Sequence, residues 1–158
     1  MLQDLYSEEM TSNKKLEKNK GQTLTPPEIV DYMVEESVKA SLENKKEGES
    51  LQILDPASGT GRFMLGVADY CWKNKIDFLM WNIDIDEKMF DACRNHAKHY
   101  KIPAIVILGD ALLNRFEKAV ACKDGVEQEL NVEEITEMFE ALTAKSKENK
   151  SLSQSELF

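Results

Sequence analysis

The run Ile53-Leu54-Asp55-Pro56-Ala57-Ser58-Gly59-Thr60-Gly61-Arg62-Phe63-Met64-Leu65 restricts the fold more than any other part of this 158-residue chain. A short apolar segment leads into a carboxylate, then a loop with two glycines, then the apolar start of a helix. Glycine serves where the backbone must turn tightly or let a ligand approach without a Cβ in the way. In an open α/β sheet that place is the crevice beyond the carboxyl end of a strand. The stretch therefore reads as a ligand cradle, and charge narrows the ligand. A dinucleotide fingerprint wants three glycines at fixed offsets and a helix N-terminus facing pyrophosphate. Here Met64 holds the third offset, and Asp55 stands at the mouth, where it would repel phosphate. A carboxylate there suits a ligand carrying an ammonium and a sulfonium, and S-adenosylmethionine is such a ligand.

Around this stretch the pattern alternates between strand and helix. Residues 51–55 read as a first strand, and Phe63, Leu65, Val67, Ala68 and Cys71 mark the inner face of the helix after it. Phe78-Leu79-Met80-Trp81-Asn82-Ile83-Asp84 is a second strand, apolar enough to be buried on both faces. Asp86 caps the next helix, which carries Met89, Phe90, Ala92, Cys93 and Ala97, and Ile105-Val106-Ile107-Leu108 is a third strand ending at Gly109-Asp110. Upstream, Thr25 as N-cap, Pro26 in the first position and Glu28 as capping-box partner predict a helix to about Glu43. Ile29, Val30, Met33, Val34 and Val38 form its apolar face. The order predicts an α/β fold, a doubly wound parallel sheet of about three strands with flanking helices, over residues 21–116. Residues 1–20 read as a polar arm. Residues 117–158 read as a hairpin or loop around Lys123-Asp124-Gly125 (a helix end is the alternative), an acidic helix capped by Asn131, and a loose polar tail from Lys145.

Three carboxylates, Asp55, Asp84 and Asp110, end the three predicted strands, separated by 29 and 26 residues. One strand–helix unit fits each gap, so in a parallel sheet all three face one crevice. Local roles compete with this reading: Asp84 as a strand-end turn residue, Asp110 as a turn or helix cap, Thr25 as a cap alone, Thr23 as a solvated residue. Cys93, His96 and His99 share a helix face, but no fourth ligand has sensible spacing for a metal, and a solvated face is the plainer reading. Trp72 and Trp81 read as packing residues.

Asp55-Pro56-Ala57-Ser58-Gly59-Thr60-Gly61-Arg62-Phe63 resembles the cofactor motif of adenine-N6 DNA methyltransferases, above all the modification subunits of type I restriction systems. Gly21-Gln22-Thr23-Leu24-Thr25-Pro26-Pro27-Glu28-Ile29-Val30 resembles the segment that family places just before it, and the likeness covers roughly residues 21–114. It implies a truncated Rossmann-like, S-adenosylmethionine-dependent methyltransferase fold and a restriction–modification setting. In such a site Asp55 and the backbone of Ala57, Ser58, Gly59, Thr60 and Gly61 meet the methionine end of the cofactor. Asp84 accepts from the ribose hydroxyls with Ile85 against the adenine. Asp110 accepts from the adenine amine while Ala111 N–H donates to a ring nitrogen. Phe63 helps to close the pocket, and the hydroxyls of Thr23 and Thr25 reach the methionine carboxylate.

What is missing matters equally. Transfer to an adenine amine needs a carbonyl or carboxylate to polarise it and an aromatic face to hold the flipped base. The family uses Asn/Asp/Ser-Pro-Pro-aromatic after a fourth strand, whereas prolines stand here only at positions 26, 27, 56 and 103. That fourth strand flanks the first in the family, so an open apolar edge is expected, to be covered by residues 119–130, by the acidic helix, by another chain or by a second copy. A formal net charge of −9 removes most non-specific attraction to phosphate, so DNA is expected to bind weakly or through a partner. Cys71, Cys93 and Cys122 lack any Cys-x-x-Cys spacing and read as free thiols of the cytoplasm. No apolar run is long enough for a membrane span, and no secretory leader pattern is present.

Overall fold

Every apolar run that ends in an aspartate becomes a parallel strand, and every amphipathic run between them becomes a crossover helix. The computed structural model describes residues 2–6 and 25–155. In chain order its elements are α1 (Pro27–Glu43), β1 (Leu51–Asp55), α2 (Arg62–Lys73), β2 (Phe78–Asp84), α3 (Glu87–His99), β3 (Ala104–Asp110), β4 (Arg115–Lys123), β5 (Val126–Glu129) and α4 (Val132–Ser155). The sheet runs β1-β2-β3-β4-β5. β1 to β3 are parallel, while β4 and β5 add antiparallel beyond β3.

The result is a mixed five-stranded sheet, not the purely parallel one of about three strands expected. The extra strands follow from turn chemistry. Asp124 and Gly125 both take positive φ, 53° and 81°, the twist that a two-residue hairpin loop requires. Of the alternatives open for residues 119–130, the hairpin forms, and it lies beyond β3, away from β1.

Strand alternation sends two sets of side chains to opposite faces. Leu51, Ile53, Phe78, Met80, Ala104, Val106, Leu108, Val120 and Cys122 pack with α1, α2 and α3 in one core. Trp81, Ile83, Ile105, Ile107 and Ala119 form the other, closed by Ile135 and Phe139 of α4. Phe139 meets Phe116 edge to face with ring centres 5.2 Å apart.

Four local expectations change. α1 starts at Pro27 with Pro26 as N-cap and no side-chain cap, so Thr25 does not cap it. A residue before proline is driven to extended backbone, and Pro26 obeys at φ −58°, ψ 146°. Ile29 and Met33 stay exposed, because Val30, Val34 and Val38 supply the contact stripe. The stretch from Lys145 is helical to Ser155, since no glycine or proline interrupts residues 132–155. His96 is fully buried instead of solvated, because residues 2–6 cover it.

Candidate functional site

Parallel pairing sets Asp55 opposite Asn82 and Asp84 opposite Leu108, with Asp110 two residues further along β3. The three carboxylates thus share one rim of the sheet. Asp55 is half-buried, and burial pushes its pKa from 3.8 up to about 6. The Ala57 N–H, 3.3 Å from Oδ1, pulls the other way, and the nearby Asp84 charge adds to the rise. Asp84 is pinned at both oxygens: Gly59 N–H donates to Oδ2 at 2.8 Å and Asp86 N–H to Oδ1 at 2.9 Å. Asp110 Oδ1 accepts from the N–H groups of Leu112 and Leu113 at 2.9 and 3.0 Å, shaping the turn into β4.

The loop between β1 and α2 is held by backbone bonds. Ser58 N–H donates to the Ile83 carbonyl and Gly61 N–H to the Ser58 carbonyl, both at 2.9 Å. Gly61 caps α2 at φ +90°, and a Cβ there would lie 2.9 Å from Cys93 Sγ and 3.0 Å from Met64 Cε. Both left-handed backbone and close packing therefore demand glycine.

Not every expected residue faces the same way. Thr60 is buried, and its hydroxyl donates to Asp4 Oδ2 at 2.7 Å. Thr25 is exposed, and its carbonyl accepts from Arg62 Nη1 at 2.8 Å; Thr23 lies outside the described residues. Phe63 packs half-buried against the helical layer, Ala111 packs against the opposite core, and Ile85 stands 73% exposed at the rim.

Sequence reasoning missed Asn82, fully buried on β2 beside Asp55. Its Nδ2 reaches only the Met64 thioether at 3.3 Å, and its Oδ1 has no hydrogen-bond partner among the described residues. A polar side chain inside an apolar strand run was the available signal. Asp4 and His96, which grip the loop from beneath, were also missed. Among the described residues no cluster of three metal-ligating side chains occurs.

A desolvated carboxylate favours a positively charged ligand. Arg62, the cation of the loop, is engaged by Asp4 and the Thr25 carbonyl. A family model described as N-6 DNA Methylase matches residues 1–100, well over half of the chain. The chain belongs to that family. The N-6 DNA methylase family normally uses S-adenosylmethionine. The match takes in β1, β2 and the glycine loop but ends before Asp110, so the third carboxylate rests on its place in the sheet alone. Among curated proteins, none matches this chain.

Proposed function

We propose that this chain is the S-adenosylmethionine-binding part of an adenine-specific N6 DNA methylase and does not transfer a methyl group alone. The observation that carries the reading is the pair of adjoining carboxylates, Asp55 and Asp84, gathered round a glycine loop, neither of them ion-paired with a lysine or arginine among the described residues. Asp55 holds the ammonium, with the N–H groups of the loop toward the methionine carboxylate. The free lone pairs of Asp84 take the ribose hydroxyls, Asp110 Oδ2 takes the adenine amine beside Ala111 N–H, and Ile85 covers the ring. Phe63 at the pocket wall and the hydroxyls of Thr23 and Thr25 complete the set. When bound, the cofactor supplies a methyl group activated on sulfur. Polarising the adenine amine needs a group that no proline-containing motif of this chain provides. Titration calorimetry tests the proposal: S-adenosylmethionine gives a binding isotherm that Asp84→Ala weakens at least about tenfold, the size of one lost charged hydrogen bond. Absence of heat at millimolar cofactor would overturn it.

A second reading, an interaction protein built on this half-fold, is favoured by the two sheet edges. β5 is a short edge guarded by Glu127 and Glu129. β1 reads Leu-Gln-Ile-Leu-Asp with neither lysine nor proline to discourage pairing. Beside it runs a groove of about 450 Å³ lined by Gln52, Trp81, Met138 and Leu142. A partner chain of a restriction–modification system, or a second copy, would pair there, and DNA would be engaged through that partner. Sizing and affinity capture separate the readings: a strictly monomeric chain that retains no partner counts against this one. The buried thiols of Cys71, Cys93 and Cys122 fit a cytoplasmic setting, and among the described residues no helix is long and apolar enough to cross a membrane.

A further inference from the structure

Beneath the glycine loop lies a contact that the cofactor reading leaves unused. His96, in the last turn of α3, is buried between the loop and residues 2–6. Its Nδ1 lies 2.7 Å from the Thr60 carbonyl oxygen, and its Nε2 lies 2.9 Å from the Leu5 backbone nitrogen. A carbonyl only accepts and an amide N–H only donates, so Nδ1 must carry the hydrogen and Nε2 the lone pair. The two contacts together select one neutral tautomer. The same segment grips the loop again through Asp4, which accepts from Thr60 Oγ1 at 2.7 Å and Arg62 Nε at 3.3 Å. Tyr100 OH donates to the Gln3 carbonyl at 2.9 Å and Asn95 Nδ2 to Tyr6 OH at 3.1 Å.

We infer that His96 is a positioning residue for the glycine loop, holding residues 2–6 against Thr60 by a bridge that exists only while its ring is neutral. The inference rests on reading that loop as the cofactor cradle. Protonation would set an Nε2–H against the Leu5 N–H, donor facing donor, and that bridge would have to open. The groups facing the ring decide when this happens. Asp4 Oδ1 lies 3.6 Å from Nε2 with Arg62 beside it, Tyr6 stands edge-on from the same segment, His99 at the end of α3 and Tyr100 just past it flank the ring, and the loop contributes only Thr60. Burial lowers the ring's pKa below the ordinary histidine value and His99 adds to this, while the Thr60 contact and the Asp4 charge oppose it. The folded ring thus binds its proton less readily than the unfolded one. The bridge is complete above the ordinary histidine range and is lost as pH falls through the lowered value.

The test uses the full chain, labelled with ¹⁵N, from pH 7.5 to 4.5. Ring nitrogen shifts should show the Nδ1–H tautomer at pH 7.5. The exchange protection of the Leu5 amide should fall about tenfold per pH unit once the ring titrates. His96→Gln, whose amide oxygen can accept from Leu5 and does not titrate, should hold that protection flat, whether or not His96→Ala folds. With S-adenosylmethionine, wild type and His96→Gln should bind alike at pH 7.5, and at pH 5, where protonation of Asp55 weakens both, wild type should bind more weakly than His96→Gln. An Nε2–H tautomer, Leu5 protection indifferent to the ring, or the same pH dependence in both proteins would overturn the inference. Absence of cofactor binding in both would refute the cradle reading, with the ring and Leu5 measurements still deciding the bridge.

Discussion

Replacing Asp55 by asparagine should make the protein more stable and a worse binder at once. The Asp55 carboxyl titrates near pH 6 in the fold against an ordinary value of 3.8, chiefly because burial disfavours its charge. A gap of about two pH units is worth roughly 3 kcal/mol. A raised folded pKa means the fold holds its proton more tightly than the unfolded chain does. Its stabilising contribution is therefore present below about pH 4 and lost as pH rises through about 6. At pH 7.5 the ionised carboxylate is a net cost that Asp55→Asn removes. For a domain of this size, that raises Tm by about 6–12 °C.

The same charge is what a cationic ligand needs. Loss of the carboxylate should weaken S-adenosylmethionine at least about tenfold, by the scale of a charge-assisted contact. In the wild type, a group titrating near 6 is mostly ionised at pH 7 and mostly protonated at pH 5. Kd should accordingly rise about tenfold between them, with proton release on binding near pH 6. Thermal unfolding by circular dichroism and calorimetry in two buffers of different ionisation enthalpy measure both effects. A variant no more stable than wild type at pH 7.5, or a Kd flat from pH 7 to 5, would refute the reasoning.

Asp84→Ala removes the acceptor of the Gly59 and Asp86 N–H groups, so beyond its effect on binding it should cost about 1–3 kcal/mol in urea unfolding. Gly61→Ala pushes a methyl to 2.9 Å from Cys93 Sγ at a backbone angle of φ +90°; it should destabilise by about 1–3 kcal/mol and lower cofactor affinity with it. Phe139→Ala opens the second core beneath α4 and should cost about 3–5 kcal/mol, with α4 becoming the first site of limited proteolysis.

The parallel half of the fold was legible because its signals are local and repeat. An apolar run ending in aspartate recurs three times, and Asp86 and Asn131 cap their helices as read, with two backbone N–H groups donating to each side chain. The site's rim follows from the same repetition, since carboxylates at the ends of parallel strands must share an edge. What stayed hidden depends on distant contacts. His96 looks solvated on a helical wheel, and only the return of residues 2–6 across 91 positions buries it. Asn82 reads as one more strand residue until, among the described residues, the thioether of Met64 proves to be its only side-chain hydrogen-bonding neighbour. Pro26 displaced the cap from Thr25 through a constraint that runs backward from Pro27.

The sheet's asymmetry bears on what the chain can do. Its β3 side is finished by a hairpin whose last strand carries glutamates, and Arg94 of α3 fixes that strand with two bonds to Glu127 at 2.8 and 3.1 Å. On its β1 side no strand pairs with the outer edge among the described residues, and β1 is the strand that delivers Asp55 and the glycine loop. The loop thus stands next to the open edge instead of in the middle of a sheet. Anything that pairs with β1 in parallel brings its own carboxyl end beside Asp55, next to the cradle proposed for the cofactor. On the proposed function a group able to polarise an adenine amine is needed at that point, and this chain's own hairpin, separated from β1 by β2 and β3, is badly placed to offer it. Edge pairing and catalysis are in this way one question, and a partner strand that restores methyl transfer would answer both.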